Sequence, residues 1–216
     1  MSFRSKPLEF VETIKWDGSS YRNLPFHAAR LGRTFQKYFG QSPGFDLEKA
    51  LPTNLGAGVW KVRLIYAREK FSVEAAPYVY PVIKSAELVA TDLYYGEKFT
   101  DRAELAALKA QSLADEVILV KDGWLTDATF TNLVFQDKGD GRLYTPDPPL
   151  LAGVKRAFLL SLGYLIQRPI APADLSQFAR VGFINALIDL EDEIWLPISA
   201  IWPLKAKETS AHVLKG

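Results

Sequence analysis

At 216 residues, 48% of them hydrophobic, the chain can bury a core of its own, either as one large domain or as small ones sharing an interface. Its 26 basic and 25 acidic residues leave a formal charge of +1, too little to gather phosphate backbones or an anionic bilayer, so neither nucleic acid nor membrane is an expected partner. The absence of cysteine excludes disulfides, thiolate nucleophiles and cysteine-bound metal clusters. With only His27 and His212, no metal site is expected. The first residues, MSFRSKPLEF, lack the apolar run of a secretory signal, and no apolar run is long enough to span a bilayer, which points to a cytoplasmic protein.

Residues 8–16 read as a strand, Asp17 and Gly18 as a turn and residues 21–24 as a second short strand, so an opening hairpin is expected. After Pro25 the period turns helical: Leu31, Phe35, Tyr38 and Phe39 share a face between His27 and Gly40, and Gly40 supplies the stop. A short helix fits residues 46–51. Residues 58–66 alternate as a strand, with Lys61, Arg63 and Ile65 on one face and Val62, Leu64 and Tyr66 on the other, and residues 71–82 are extended. This is a small α+β unit ending near Ile83.

From residue 86 to 95 the chain is apolar and β-prone, and it delivers Gly96, Glu97 and Lys98 at its end. Asp101 with Glu104 has the spacing of a capping box and opens a helix through Leu105, Leu108 and Leu113 to about Ala114. A strand at 117–120, a turn at Lys121-Asp122-Gly123, a strand at 132–136 and a hairpin turn at Gly139-Asp140-Gly141 make a meander. A proline-rich loop, 146–149, leads through Gly153 into a helix bearing Val154, Ala157, Phe158, Leu160 and Ser161. Strands at 181–187 and 193–197 follow, and residues 205–216 read as a polar tail. The chain divides at 1–83, 84–204 and 205–216.

Several of these positions can carry chemistry. Gly153 stands where a loop becomes a helix, so free backbone amides and the positive end of the dipole point outward together, although a single glycine equally suits tight packing. Lys98, just past a strand end, could project into a cleft, where desolvation would lower its pKa as Schiff-base chemistry needs. Alone it reads as a solvated turn lysine. Asp127 lies among small and hydroxylated residues, suited either to an Asx turn or to holding a proton on a pyridine nitrogen. Arg30 follows His27 by three positions at the margin of the first helix's apolar stripe. Arg63, if its face meets a cleft, could take a carboxylate in a forked pair of hydrogen bonds.

The order of these features from about Phe10 to Pro197 resembles the fold-type IV pyridoxal phosphate enzymes, which include class IV aminotransferases and 4-amino-4-deoxychorismate lyases. The resemblance is most specific at Gly123-Trp124-Leu125-Thr126-Asp127, Thr131-Asn132-Leu133-Val134-Phe135, Tyr144-Thr145-Pro146 and Leu151-Ala152-Gly153-Val154-Lys155-Arg156. It implies an α+β fold of two small α/β subdomains of the D-amino-acid aminotransferase-like type, the second a meander or pseudo-barrel with helices. It also implies a pyridoxal 5'-phosphate cofactor, a small-molecule amino substrate and a homodimer.

Residue by residue, Lys98 resembles the lysine that carries the cofactor and serves as general base, and Asp127 stands where the family usually has a glutamate facing the ring nitrogen. Asn132 falls in the Asn-Leu-x-Phe strand beside it. Arg30, Gly153, Asn185 and Ala186 resemble the cup around the phosphate, to which Val154 and Lys155 would contribute backbone amides, and Arg63 stands where relatives keep a basic residue near the substrate. The Lys98-x-x-Asp101-Arg102 and Asn185-Ala186-Leu187-Ile188 runs look more like the lyase branch, which releases pyruvate, than like the branched-chain or D-amino-acid transaminases. A catalytically silent binding relative would be expected to lose Lys98, Asp127 or Arg30, and all three are present.

Overall fold

Strand β1 (Phe10–Trp16) places Phe10, Glu12, Ile14 and Trp16 on one face, and all four are buried. In the computed structural model, which describes residues 8–204, β1 pairs antiparallel with β2 (Trp60–Tyr66), and β2 pairs with β3 (Phe71–Pro77). Helix α1 (Leu24–Phe39) lays Leu31 and Phe35 on Phe10, Ile14, Val62 and Leu64. Gly40, at φ 68, ends it by returning its N–H to the Gln36 carbonyl. Helix α2 (Leu47–Ala50) is capped by the Asp46 carboxylate and adds Leu47 to the same core.

The second sheet holds β4 (Ala86–Ala90), β5 (Glu116–Lys121), β6 (Trp124–Ala128), β7 (Asn132–Asp137), β8 (Leu143–Pro146), β9 (Ile166–Arg168), β10 (Phe178–Ile184), β11 (Trp195–Pro197) and β12 (Ile201–Trp202). Its path is β11-β10-β7-β6-β5-β4-β12, with β8 joined to β7 and β9 to β8. The pairs β4–β5, β4–β12 and β8–β9 are parallel and the rest antiparallel. Its buried face carries Leu88, Ile118, Leu133, Phe135, Phe178 and Phe183. Helices α3 (Ala103–Ala110) and α4 (Val154–Ser161) complete an α+β fold of the expected meander type.

Some expectations are corrected. The opening hairpin does not form: Trp16 and Tyr21 make a single bridge, and α1 already begins at Leu24, because a proline in the first turn is set for a helix and lacks the N–H a strand needs. Strand β4 stops at Ala90 rather than residue 95. The lysine segment instead pairs with the free edge of β1, the Val11 N–H bonding to the Lys98 carbonyl at 2.9 Å and the Thr100 N–H to that of Glu9 at 3.0 Å. Helix α3 ends at Ala110, leaving Leu113 exposed, and Arg102 at its N-cap makes no side-chain cap. Strand β10 begins at Phe178, three residues before the expected 181, and β6, β8, β9 and β12 lie outside the strands expected from the sequence. Asp122 at φ 51 and Gly123 at φ 84 form the two-residue turn that folds β6 back on β5. The polar tail, 205–216, lies outside the described residues.

Candidate active site

Between the two sheets lies a cavity of about 400 Å³, within the range of small-molecule sites. From the first sheet and α1 come Thr13, Arg30, Lys61 and Arg63; Tyr95, Lys98 and Arg102 come from the segment paired to β1. From the second sheet and α4 come Asp127 through Asn132, Gly153, Val154, Asn185 and Ala186.

Every residue named from the sequence lines this cavity except Lys155. Lys155 is buried, and its ammonium turns away to the Asp189 carboxylate, which also takes Lys15 at 2.6 Å. That ties β1 to the loop after β10. The expectation at Lys155 concerns its backbone amide in the first turn of α4, and the direction of its ammonium does not bear on that amide.

The register makes Asp127 and Asn132 direct partners across the β6–β7 turn, which the Ala128 N–H closes on the Thr131 carbonyl at 2.9 Å. The Asn132 amide donates to Asp127 Oδ1 at 2.8 Å and to the Leu151 carbonyl at 2.9 Å, and the Leu151 N–H donates to Asp127 Oδ2 at 2.7 Å. Burial lifts the Asp127 carboxyl to about 7, against the opposing pull of these donors. Gly153 is required by close approach: a Cβ there would lie 3.0 Å from the Asn132 amide carbon and closer still to its oxygen.

Arg30, 8% exposed, donates through Nε to Glu12 Oε1 at 2.9 Å and through Nη2 to Oε2 at 2.5 Å, and His27 Nδ1 lies 2.6 Å from the same Oε2. Burial alone would raise the Glu12 carboxyl, but the Arg30 and His27 contacts win and hold it at about 2. Glu12 was not singled out in the sequence. Its signal was an acid on the apolar face of a strand, where only a buried cation could satisfy it. Arg63 donates to Glu74 of β3 at 2.9 Å.

The Lys98 side chain reaches solvent only in part, and protein encloses its amine. Burial first, then the Arg30 and Arg102 charges, push it down to about 7. A lysine so placed is substantially neutral at physiological pH and therefore nucleophilic.

These residues fit pyridoxal phosphate on structural grounds. Among the described residues, Thr131 Oγ1 lines the cavity buried and without a partner, no side chain caps α4 at Gly153, and the Asn185 carboxamide oxygen holds its own turn by accepting the Leu187 and Ile188 N–H groups at 2.8 and 3.0 Å.

The model of the amino-transferase class IV family matches residues 9–201, and the chain belongs to that family, whose members depend on pyridoxal phosphate. It is 31% identical over 182 residues to an uncharacterized protein of Haemophilus influenzae, covering 82% of this chain and 96% of that one. Among solved structures, a candidate 4-amino-4-deoxychorismate lyase from Haemophilus somnus 129pt is 30% identical with a TM-score of 0.77, covering 83% of this chain and 96% of that one. A candidate amino-acid aminotransferase from Mesorhizobium loti is 27% identical with a TM-score of 0.68, covering 91% and 99%.

Proposed function

We propose that this chain is a pyridoxal phosphate enzyme acting on the amino group of a small amino-acid-like substrate, in the manner of a 4-amino-4-deoxychorismate lyase that releases pyruvate. The observation that carries this is an enclosed lysine, held near neutrality, facing the same cavity as a buried carboxyl and the uncapped start of α4. When bound, the cofactor supplies a ring that spreads negative charge from the substrate carbon next to nitrogen.

The chain's own groups do the rest. Lys98 Nζ would hold the cofactor and would serve as the base that takes the proton from that carbon. Asp127, pinned by Asn132 and Leu151, keeps a proton on the ring nitrogen. Asp127 is one methylene shorter than the glutamate usual in the family, and a water could bridge the difference in reach. Arg30, the first residues of α4 and the Asn185-Ala186 turn receive the phosphate. Arg63 receives a substrate carboxylate.

The similarity to the Haemophilus somnus protein supports the lyase reading over transamination. The proposal includes a cytosolic homodimer. Strand β3 supports the dimer, since it is a sheet edge with Phe71 43% exposed, followed by Val79 at 84% and Val82 at 75%, an apolar strip suited to a second copy.

The test is a visible spectrum of wild type and Lys98→Ala after adding pyridoxal phosphate, followed by substrate. Wild type should colour and release pyruvate from aminodeoxychorismate, and Lys98→Ala should lose at least ~100-fold in rate. Conversion of the cofactor by an amino donor, with restoration by a keto acid and no pyruvate release from aminodeoxychorismate, would make it a transaminase. A colourless wild type would overturn the reading in favour of a silent relative.

A further inference from the structure

The charges lining the cavity do not balance. Arg30 is answered by Glu12 and Arg63 by Glu74, and Asp127 is the one carboxylate among the described residues that line the cavity. Among the described residues Arg102 has no carboxylate within ion-pair distance, although it lines the cavity beside Lys98. Its Nη2 donates to the Thr129 carbonyl, and its Nε is buried without a partner. That carbonyl is a fixed anchor, because Glu116 Oε1 accepts from both the Thr129 hydroxyl at 2.7 Å and its N–H at 3.3 Å. A guanidinium carries five donors and a charge that is never given up, so one held with a single neutral acceptor is prepared for an anion.

We propose that Arg102 is an anion-binding residue of this site, whose guanidinium, aimed by the Thr129 carbonyl, receives an oxyanion of the bound ligand next to Lys98. This rests on the functional reading above and deepens it. The oxyanion belongs either to the cofactor's ring or to a carboxylate of the substrate, and the chemistry of recognition is the same for both. In the empty cavity the same charge opposes protonation of Lys98. Arg102 therefore has a second effect that needs no ligand at all.

Competitive acetylation of the cofactor-free protein across pH, read on the Lys98 peptide by mass spectrometry, isolates that effect. In Arg102→Met the labelling midpoint should rise by on the order of half a pH unit. Arg102→Lys, which keeps a cation, should restore it, and melting temperatures check that both variants fold. With pyridoxal phosphate as probe, weakening of its Kd by about tenfold in Arg102→Met and a moved pH midpoint of the visible band place the oxyanion on the cofactor. An unchanged band, with KM for aminodeoxychorismate and the inhibition constant of pyruvate raised about tenfold while kcat holds, places it on the substrate.

If Arg102→Met leaves cofactor affinity and KM where they are in wild type, whatever the labelling midpoint does, Arg102 merely braces Thr129 and the inference is wrong. If wild type takes up no cofactor, the functional reading fails, while the acetylation arm still reports on Arg102.

Discussion

Two arginines meet at this cavity in opposite conditions. Arg30 is locked to Glu12 by a two-pronged pair with both side chains at most 10% exposed, whereas Arg63 shares one N–H with Glu74, the two side chains being 36% and 58% exposed. A buried pair costs much to assemble and more to break, because either partner alone is an uncompensated charge in a poorly polarisable medium. An exposed pair contributes little and re-aims freely. The contrast fits what each is proposed to hold: a phosphate that never varies, and a substrate carboxylate that must arrive and leave.

Glu12 is where the two arginines part most sharply. Glu12→Gln keeps the shape but leaves the Arg30 charge buried and unpaired, and should destabilise the cofactor-free protein by about 3–5 kcal/mol in denaturant unfolding. Pyridoxal phosphate should return part of that loss, since its phosphate supplies the missing anion. Equal losses with and without cofactor would mean that Arg30 does not face the phosphate.

Lys98 senses the locked side next. Its pKa falls from 10.5 to about 7 on folding, so between those values the unfolded chain binds a proton that the folded one does not. Stability in wild type therefore rises as pH climbs through that window, and the cost of Lys98 is full below about 7. Lys98→Met has no proton to bind, so its melting temperature should exceed that of wild type by on the order of several degrees at pH 6 and by progressively less toward pH 10. Asp127, raised by burial to about 7, titrates in both proteins and cancels in the difference. A constant gap across pH would show that Lys98 is not enclosed.

The locked and the loose parts were unequally legible in the sequence. Asp127, Asn132 and Gly153 were readable because turns and helix starts are local: the acid and the amide stand five positions apart across one tight turn, and the glycine opens α4. The amphipathic stripe of α1 and the alternation of β2 were readable for the same reason. Glu12 was not, since alternation tells faces apart but not which distant cation will cross one. The route of Lys98 into the cavity depends on pairing with the β1 edge across more than eighty residues, and no periodicity in residues 91–97 encodes it. Arg102 reads in the sequence as the end of the Lys98-x-x-Asp101-Arg102 run at the entry to a helix, and only its neighbours in space reveal that no carboxylate among the described residues meets it.

The smallest effects belong to the loose pair, and they test whether looseness is its purpose. Arg63→Gln removes the proposed carboxylate clamp and should raise KM about tenfold with little change in kcat, because a charge-assisted hydrogen bond lost from ground and transition states alike weakens binding uniformly. Glu74→Gln removes only the exposed partner. Its effect on stability should stay below about 1 kcal/mol, and KM should hold or fall slightly, since Arg63 no longer divides its donors between Glu74 and the substrate. Should Glu74→Gln instead raise KM as much as Arg63→Gln does, the glutamate is orienting the guanidinium as Glu12 orients that of Arg30, and the two pairs would differ in exposure but not in kind.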